Sequence, residues 1–230
     1  MVTNPYDSIA EIYDSMYYYP VHKLEDEYIK EMILTHSINL GKTLDLGCGT
    51  AKILEKICFD DYTGIDISEN MITKSKNNSS NSKFLKQDMA DLFSFEENQF
   101  DNVISLFGSF SYTNEVENTI KGIKHVLKPG GKFLIMAYGK NYPKRKTYIL
   151  NKLNMNTDAH FYSSDELLRL FIPSNLVDIE VRGMTYLSEY LQNIIPNSLL
   201  KQLFNIESRI LSKFLKNQLF FLIITGKKYA

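Results

Sequence analysis

Cysteines are scarce in this sequence of 230 residues, and basic residues are not in excess. The two cysteines, Cys48 and Cys58, lack the spacing of a disulfide framework or a zinc site, which indicates a reducing compartment. The formal net charge is -1, so no general affinity for nucleic acid is expected. Because no stretch rich in proline, serine and glycine divides the chain, we expect one domain over residues 1–230.

Long apolar runs are also lacking. The longest one near the end, Leu219 to Ile224, is far shorter than the roughly 20 residues that span a bilayer. The first residues, Met1 to Tyr13, are polar and acidic and do not resemble a signal peptide. We therefore expect a cytoplasmic protein without stable membrane insertion. The sequence leaves open whether the chain forms a homo-oligomer.

A glycine-rich turn lies in the stretch Thr43 to Ala51, where a short apolar strand runs into Gly47-Cys48-Gly49. A run compatible with a helix, Lys52 to Ile57, follows directly. Gly47 and Gly49 allow positive φ angles and a close approach of the backbone, and a helix start offers unpaired N–H groups. The stretch predicts a cradle for a nucleotide cofactor.

Strands and helices alternate after this turn, which predicts a parallel sheet with helices on both faces. The second strand, Asp61 to Asp66, ends 19 residues after Gly47 on a carboxylate, the spacing at which an acid holds ribose hydroxyls in dinucleotide folds. Asp88 and Phe107 follow the third and fourth strands, so both are expected at the same carboxyl edge. The remaining predicted strands are Lys132 to Tyr138, Leu176 to Arg182 and Phe220 to Lys227.

Two segments outside this alternation are predicted to be helical. Residues 1–40 begin with a tyrosine-rich helix that ends before Pro20, followed by a helix from Leu24 to Thr35. The tyrosines either pack on the core or belong to a lid that faces a ligand. Residues 184–217 form an insertion before the last strand, and its apolar residues are expected on one face: Leu199, Leu203, Ile206, Ile210 and Phe214. We interpret this face as a cover over the substrate side or a dimer contact, in preference to a membrane-surface element.

Four stretches together resemble the motifs of class I S-adenosylmethionine-dependent methyltransferases of the small-molecule type: Leu44 to Thr50, Gly64 to Ser68 with Met71, Gln87 to Met89, and Val126 to Gly131. Ala51 stands where that family usually has a third glycine. The resemblance implies an α/β fold: a Rossmann-like, doubly wound, seven-stranded sheet that is mostly parallel with an antiparallel last strand. Ile12 to Tyr17 and Val103 to Tyr112 are similar to the corresponding parts of bacterial deoxysugar amino-methyltransferases, but the β-rich segment of those enzymes is missing here.

The resemblance also implies the cofactor, S-adenosyl-L-methionine, with S-adenosyl-L-homocysteine as product, and a small-molecule acceptor. Asp66 would hold the ribose, Asp88 and Met89 the adenine with Ile67 and Met71 on its other side, and Gly47 and Gly49 the methionine part. Leu106 and Phe107 would face the sulfonium. The remaining motif residues Asp45 and Cys48, and Tyr13 before the loop, complete the expected cofactor-binding set, and Tyr17 matches an active-site tyrosine.

Methyl transfer from a sulfonium needs a positioned acceptor in a dry pocket more than it needs a strong catalyst. Aromatic faces suit the cationic sulfonium, and the candidates are Tyr13, Tyr17, Phe107, Phe110, Tyr112 and Tyr138. An acceptor hydroxyl would require a base, for which His160 is the expected residue besides Tyr17. The basic residues Lys140, Lys144, Arg145 and Lys146 either meet an acceptor phosphate or carboxylate, or belong to a solvated loop.

Two other functions compete with this interpretation. An NAD-dependent oxidoreductase would share the glycine turn and Asp66, but no Tyr-x-x-x-Lys pair is convincingly placed. A non-catalytic subunit that only binds S-adenosylmethionine would keep the same motifs. No metal is expected in any of the three cases.

Overall fold

The computed structural model describes residues 5–17, 19–141 and 159–230. Residues Lys144 to Lys146, Tyr18 and the first four residues therefore lie outside the described part. The helices are α1 (Pro20–Thr35), α2 (Glu69–Asn78), α3 (Val116–Val126), α4 (Ser164–Phe171), α5 (Leu187–Leu191) and α6 (Asn197–Asn205). The strands are β1 (Lys42–Leu46), β2 (Asp61–Asp66), β3 (Lys83–Lys86), β4 (Phe100–Ser105), β5 (Leu127–Tyr138), β6 (Leu176–Met184) and β7 (Phe221–Lys228).

One seven-stranded sheet carries the fold, in the order β3-β2-β1-β4-β5-β7-β6. The first five strands are parallel to one another, whereas β7 lies antiparallel between β5 and β6. The predicted Rossmann-like, mostly parallel sheet with an antiparallel last strand is confirmed. Strand order reverses beside β1, and in open α/β sheets a ligand binds at such a point, beyond the carboxyl ends of the strands.

Hydrophobic cores cover both faces of the sheet because the inner strands alternate the direction of their apolar side chains. Leu134 and Met136 of β5 pack with α1 on one face, and Phe133 and Ile135 pack with α3 and α4 on the other. The helices on the two faces therefore hold the strand tips in fixed positions. Among the described residues, no helix has the length and apolar character needed to cross a bilayer.

The chain before α1 differs from the prediction. Instead of one short helix, the structure has two 3₁₀ turns, Pro5–Ser8 and Tyr13–Met16. Pro20 does not end a helix but begins α1, since proline fits the first helical position, where its missing N–H is not needed. Helix α1 thus starts four residues before the expected Leu24.

The run after the glycine turn also differs from the prediction. Lys52–Glu55 forms a single 3₁₀ turn and not an α-helix. Ala51 before it is left-handed, with φ of 56°, and β2 already begins at Asp61. The residues between the glycine turn and Asp61 are too few to form several helical turns and also return the chain to the sheet. The turn Lys52–Glu55 therefore offers no α-helix N-terminus to the cradle.

Candidate active site

The turn Gly47-Cys48-Gly49 is pressed against its neighbours. Gly47 and Gly49 have φ angles of 71° and 54°, a region that favours glycine. A Cβ on Gly47 would lie 2.6 Å from the Cβ of Ser109, and the Ser109 hydroxyl donates to the Gly47 carbonyl at 2.9 Å. Because Gly47 has no side chain, its backbone lies directly against Ser109 in the loop that follows β4.

Asp66 and the glycine turn form one hydrogen-bonded unit. Its carboxylate accepts from the N–H of Gly49 and from the N–H of Ser68, each at 2.9 Å. Burial raises the pKa of Asp66, and these two N–H donors act against that rise. The carboxylate that we expect at the ribose is thus held in a fixed position beside the turn.

Asp45, at the end of β1, is a buried acid with a perturbed pKa. The Tyr62 hydroxyl donates to Asp45 Oδ2 at 2.5 Å, while Oδ1 is buried without a hydrogen-bond partner among the described residues. Burial raises the pKa of Asp45 to about 7, the bond from Tyr62 lowers it, and the charge of Asp66 adds to the rise. A cationic ligand beside Oδ1 would satisfy this carboxylate.

Residues 5–17 lie across α2 and the glycine turn. Asp7 Oδ1 accepts from the Ser68 hydroxyl at 2.5 Å and from the Asn70 N–H at 3.2 Å. Asp14 Oδ1 accepts from the Thr50 hydroxyl at 2.7 Å. Two carboxylates therefore attach this segment to both sides of the expected cofactor site.

A cavity of about 970 Å³, its open mouth included, lies between the glycine turn, residues 13–17, α1 and the end of β4. Eight of the predicted site residues line it: Tyr13, Tyr17, Asp45, Gly47, Cys48, Gly49, Leu106 and Phe107. Burial, followed by the charges of Asp45 and Asp66, raises the pKa of the Cys48 thiol well above its usual value, so this thiol stays protonated.

Aromatic rings surround one end of this cavity. The ring centroids of Tyr13 and Tyr17 lie 5.1 Å apart. The rings of Tyr138 and Phe221, whose centroids lie 5.7 Å apart, also line the cavity. Of the other aromatic candidates, Phe110 is fully buried in the core against Phe171 and does not face the cavity. Such a lining excludes water and attracts cations.

The other five predicted cofactor residues do not line the cavity, and Asp66 is one of them although it accepts from the Gly49 N–H of the turn. Met71 is buried beneath Ile9 and Ala10 of the covering segment, and Ile67 is exposed at the end of β2. Asp88 accepts from the Ala90 N–H at 2.9 Å, and the Met89 methyl is 3.2 Å from the position of a Cβ on Gly47. Their roles stay predictions.

His160 lies elsewhere. Its Nε2 is 2.6 Å from Glu166 Oε1, and its backbone N–H donates to the Ser111 carbonyl. It lines a separate groove beside the chain that leads into α3. The structure does not place His160 in the lining of the cavity that contains Tyr17.

Three residues of α1 that sequence reasoning missed line the cavity, namely His22, Glu25 and Asp26. The His22 ring lies 5.3 Å from that of Tyr17, and Glu25 is 2% exposed and accepts from the Thr185 hydroxyl at 2.7 Å. His22 and Glu25 are three positions apart in the sequence, so they share a helix face. The shared helix face cannot be recognised when a helix is assumed to end before Pro20, because His22 then lies outside any helix.

Residues 44–135 match the family model described as a methyltransferase domain. The chain is 29% identical over 174 residues to phosphoethanolamine N-methyltransferase 2 of Caenorhabditis elegans, a match of 70% of this chain but only 38% of that protein's length. It is 30% identical over 175 residues to demethylmenaquinone methyltransferase of Staphylococcus aureus, covering 63% of this chain and 71% of the relative.

Among solved structures, a SAM-dependent methyltransferase of Thermotoga maritima superposes with a TM-score of 0.57 at 19% identity, over 82% of each chain. At that identity the similarity concerns the fold. Together with the extent of the Staphylococcus match, these findings define the family: the chain belongs to the class I S-adenosylmethionine-dependent methyltransferases.

Proposed function

We propose that the chain transfers a methyl group from S-adenosylmethionine to a nitrogen or oxygen atom of a small molecule. The observation that carries this proposal is the cavity in which the glycine turn, the buried Asp45 and a set of aromatic rings meet. Support also comes from the family, whose members named above include an N-methyltransferase.

The residues around the cavity fit this cofactor. A Cβ on Gly49 would meet only the Tyr13 ring at 4.0 Å, so the backbone there is open to the methionine part, and Asp45 Oδ1 supplies a buried acceptor for its ammonium group. Asp66 would hold the ribose, and Ile67, Met71, Asp88 and Met89 would contact the adenine. Tyr13, Leu106 and Phe107 would face the sulfonium. S-adenosylmethionine supplies a methyl group that is already activated for transfer.

The work left to the chain is binding, orientation and exclusion of water. Tyr17, His22 and Glu25 lie where an acceptor would enter between residues 13–17 and α1. An amine arriving without its proton needs no base, whereas a hydroxyl would lose its proton to His22 or Glu25. His160 does not line this cavity, so we do not assign that step to it.

We further propose that residues 1–230 act as one methyltransferase domain. In this arrangement the N-terminal 40 residues contain the lid over the cofactor. Residues 184–217 support the substrate side through α1, since Gln192 accepts from the Val21 N–H at 3.3 Å. Both parts thus reach the cavity through hydrogen bonds seen in the structure.

The two competing functions are less well supported. An NAD-dependent oxidoreductase does not account for the family match, and a non-catalytic subunit does not account for an acceptor-sized, aromatic-lined cavity beside the cofactor residues. The oxidoreductase is tested by asking which cofactor binds, and the non-catalytic subunit by asking whether a methylated product forms.

Thermal denaturation with candidate cofactors tests the proposal. S-adenosylhomocysteine at about 100 times its dissociation constant should stabilise the fold by about 2.7 kcal/mol and raise the melting temperature, while NAD should not. In a separate assay, the protein with S-adenosylmethionine is offered a panel of matched amines and alcohols, with phosphoethanolamine and a demethylmenaquinone analogue included, and formation of S-adenosylhomocysteine is measured. Stabilisation by NAD alone would support the oxidoreductase, and binding without product across the panel would support the non-catalytic subunit.

A further inference from the structure

The helical turns from Ile206 to Lys213 have their apolar side outwards and their polar side inwards, whereas the preceding helix α6 buries Leu200 and Phe204. Their outward side carries apolar residues, with Ile206 45%, Ile210 61% and the following Phe214 81% exposed. Their inward side is polar, with Glu207 2% exposed and Ser208 and Ser212 fully buried. We call the exposed side chains of Ile206, Ile210 and Phe214 the outer face. The expected cover over the substrate side is therefore not made by this stripe, which points away from the core.

Buried hydrogen bonds hold these turns in this orientation. Glu207 accepts from the N–H of Tyr186 and of Ser188, both at 3.1 Å, and from the Ser188 hydroxyl at 2.6 Å. The Tyr28 hydroxyl donates to the Ser208 carbonyl at 2.8 Å. Rotation of these turns to bury their apolar side would carry Glu207 outwards and leave the N–H groups of Tyr186 and Ser188 without their acceptor inside the protein. These buried hydrogen bonds therefore keep the outer face exposed to solvent.

Positive charge surrounds the outer face. Between residues 194 and 218 the cations are Lys201, Arg209, Lys213 and Lys216, and the single acid is the buried Glu207. Three of these cations reach carboxylates on neighbouring elements, namely Glu27, Glu31 and Glu180. The pairs of Lys201 and Lys213 are solvent-exposed and weak, whereas Arg209 donates to both oxygens of Glu31. Arg182 adds a further cation beside Glu180. Cations outnumber exposed carboxylates around the apolar patch.

We propose that the outer face docks on the surface of an anionic lipid bilayer. Exposed Ile and Phe side chains beside Lys and Arg are the two features that interfacial segments use, one entering the headgroup region and the other meeting lipid phosphates. A second copy of the chain fits less well, because symmetric pairing of this face would bring the same cations against one another. The contact lies on the surface and requires no membrane-spanning helix.

Docking would orient the candidate active site. Phe204 of α6 packs 6.1 Å from Tyr28 of α1, the helix that also carries His22 and Glu25 into the cavity. The outer face and the cavity therefore belong to elements on one side of the sheet. The docking proposal does not depend on the reaction that this site performs.

Co-flotation with vesicles tests the proposal. The wild-type chain should float with vesicles of phosphatidylcholine containing phosphatidylglycerol, and much less with phosphatidylcholine alone. The variant Ile210→Ser with Phe214→Ser should lose binding by about tenfold or more, since two apolar side chains no longer enter the bilayer. The matched control replaces an isoleucine and a phenylalanine exposed elsewhere, Ile172→Ser with Phe93→Ser, and should bind like the wild type.

Three results would overturn the proposal. The first is wild-type chain that stays in solution with anionic vesicles, and the second is an equal loss of binding in both double variants. The third is a dimer in sedimentation velocity that Ile210→Ser with Phe214→Ser dissociates, which would assign the outer face to a second copy. Thermal denaturation of each variant confirms that it is folded before the comparison is made.

Discussion

Asp45 combines burial, one strong hydrogen bond and one unsatisfied oxygen, and this makes its charge depend on pH near neutrality. Its pKa of about 7 lies well above the ordinary value because burial disfavours the carboxylate. In the folded chain Asp45 therefore keeps a proton that the unfolded chain has already released at mildly acidic pH. Its contribution to stability is fully present at low pH and is lost as the pH rises towards about 7.

Ligand binding should show the opposite dependence. An ammonium group beside Asp45 prefers the carboxylate, so affinity for S-adenosylhomocysteine should rise about tenfold between about pH 6 and pH 8, the change in the ionised fraction for a pKa near 7. Calorimetric titration at several pH values measures this. In Asp45→Asn the amide oxygen can still accept from Tyr62, but the rise should vanish, whereas Asp61→Asn on the next strand should keep it. A wild-type affinity independent of pH would show that Asp45 does not face the ligand.

Asp66 is expected to account for much of the affinity for the nucleoside part. Asp66→Ala should weaken binding of S-adenosylhomocysteine at least about tenfold, about 1.4 kcal/mol, because the ribose loses a carboxylate and the Gly49 N–H loses its acceptor. Asp61→Ala, at the opposite end of β2, is the matched control and should bind normally. Equal affinity in wild type and Asp66→Ala would remove Asp66 from the site.

The sequence predicted the residues whose role follows from backbone geometry and spacing. Gly47 and Gly49 do adopt positive φ angles, and Asp66 does lie against the turn. His22 and Glu25 could not be found in this way, because what brings them to the cavity is the packing of α1 on the sheet and not a local motif. His160 lines a separate groove, so its role as a base stays a prediction.

The covering segment before α1 shows how little regular structure an ordered element needs. Its 3₁₀ turns contain few internal hydrogen bonds, so its order rests on Asp7, Asp14 and the contacts of Ile9 and Ala10 with Met71. Tyrosine spacing suggested a helix, but bonds to α2 and to the glycine turn determine the path instead. Local sequence also failed to predict the conformation of Lys52–Glu55, because the short connection to β2 leaves room only for a 3₁₀ turn.

Removal of the two attachment points should open this segment. In Asp7→Ala with Asp14→Ala, backbone amides of residues 5–17 should exchange hydrogen about tenfold faster, because local opening no longer breaks three charge-assisted bonds. Amides of β4 should exchange as in the wild type. Glu11→Ala, in the same segment and exposed, is the control. Unchanged exchange in the double variant would show that other contacts hold the segment.

The sheet as a unit was the most predictable feature. The alternation of strands and helices followed from the sequence pattern, and the antiparallel last strand from the resemblance, whereas the strand order is a finding of the structure. This order brings the ends of β1, β2 and β4 together. The outward direction of the apolar side of residues 206–213 was not predictable, because periodicity identifies an apolar stripe but not the direction it faces. Only the buried bonds of Glu207 reveal that direction.

The structure of the chain crystallised with S-adenosylhomocysteine tests the central claim most directly. The ligand should lie along the glycine turn, with its ribose hydroxyls within hydrogen-bond distance of Asp66, its ammonium beside Asp45 Oδ1 and its sulfur towards Tyr13 and Phe107. Density for the ligand in any other place, or none at saturating concentration, would contradict the assignment of this cavity as the site of methyl transfer.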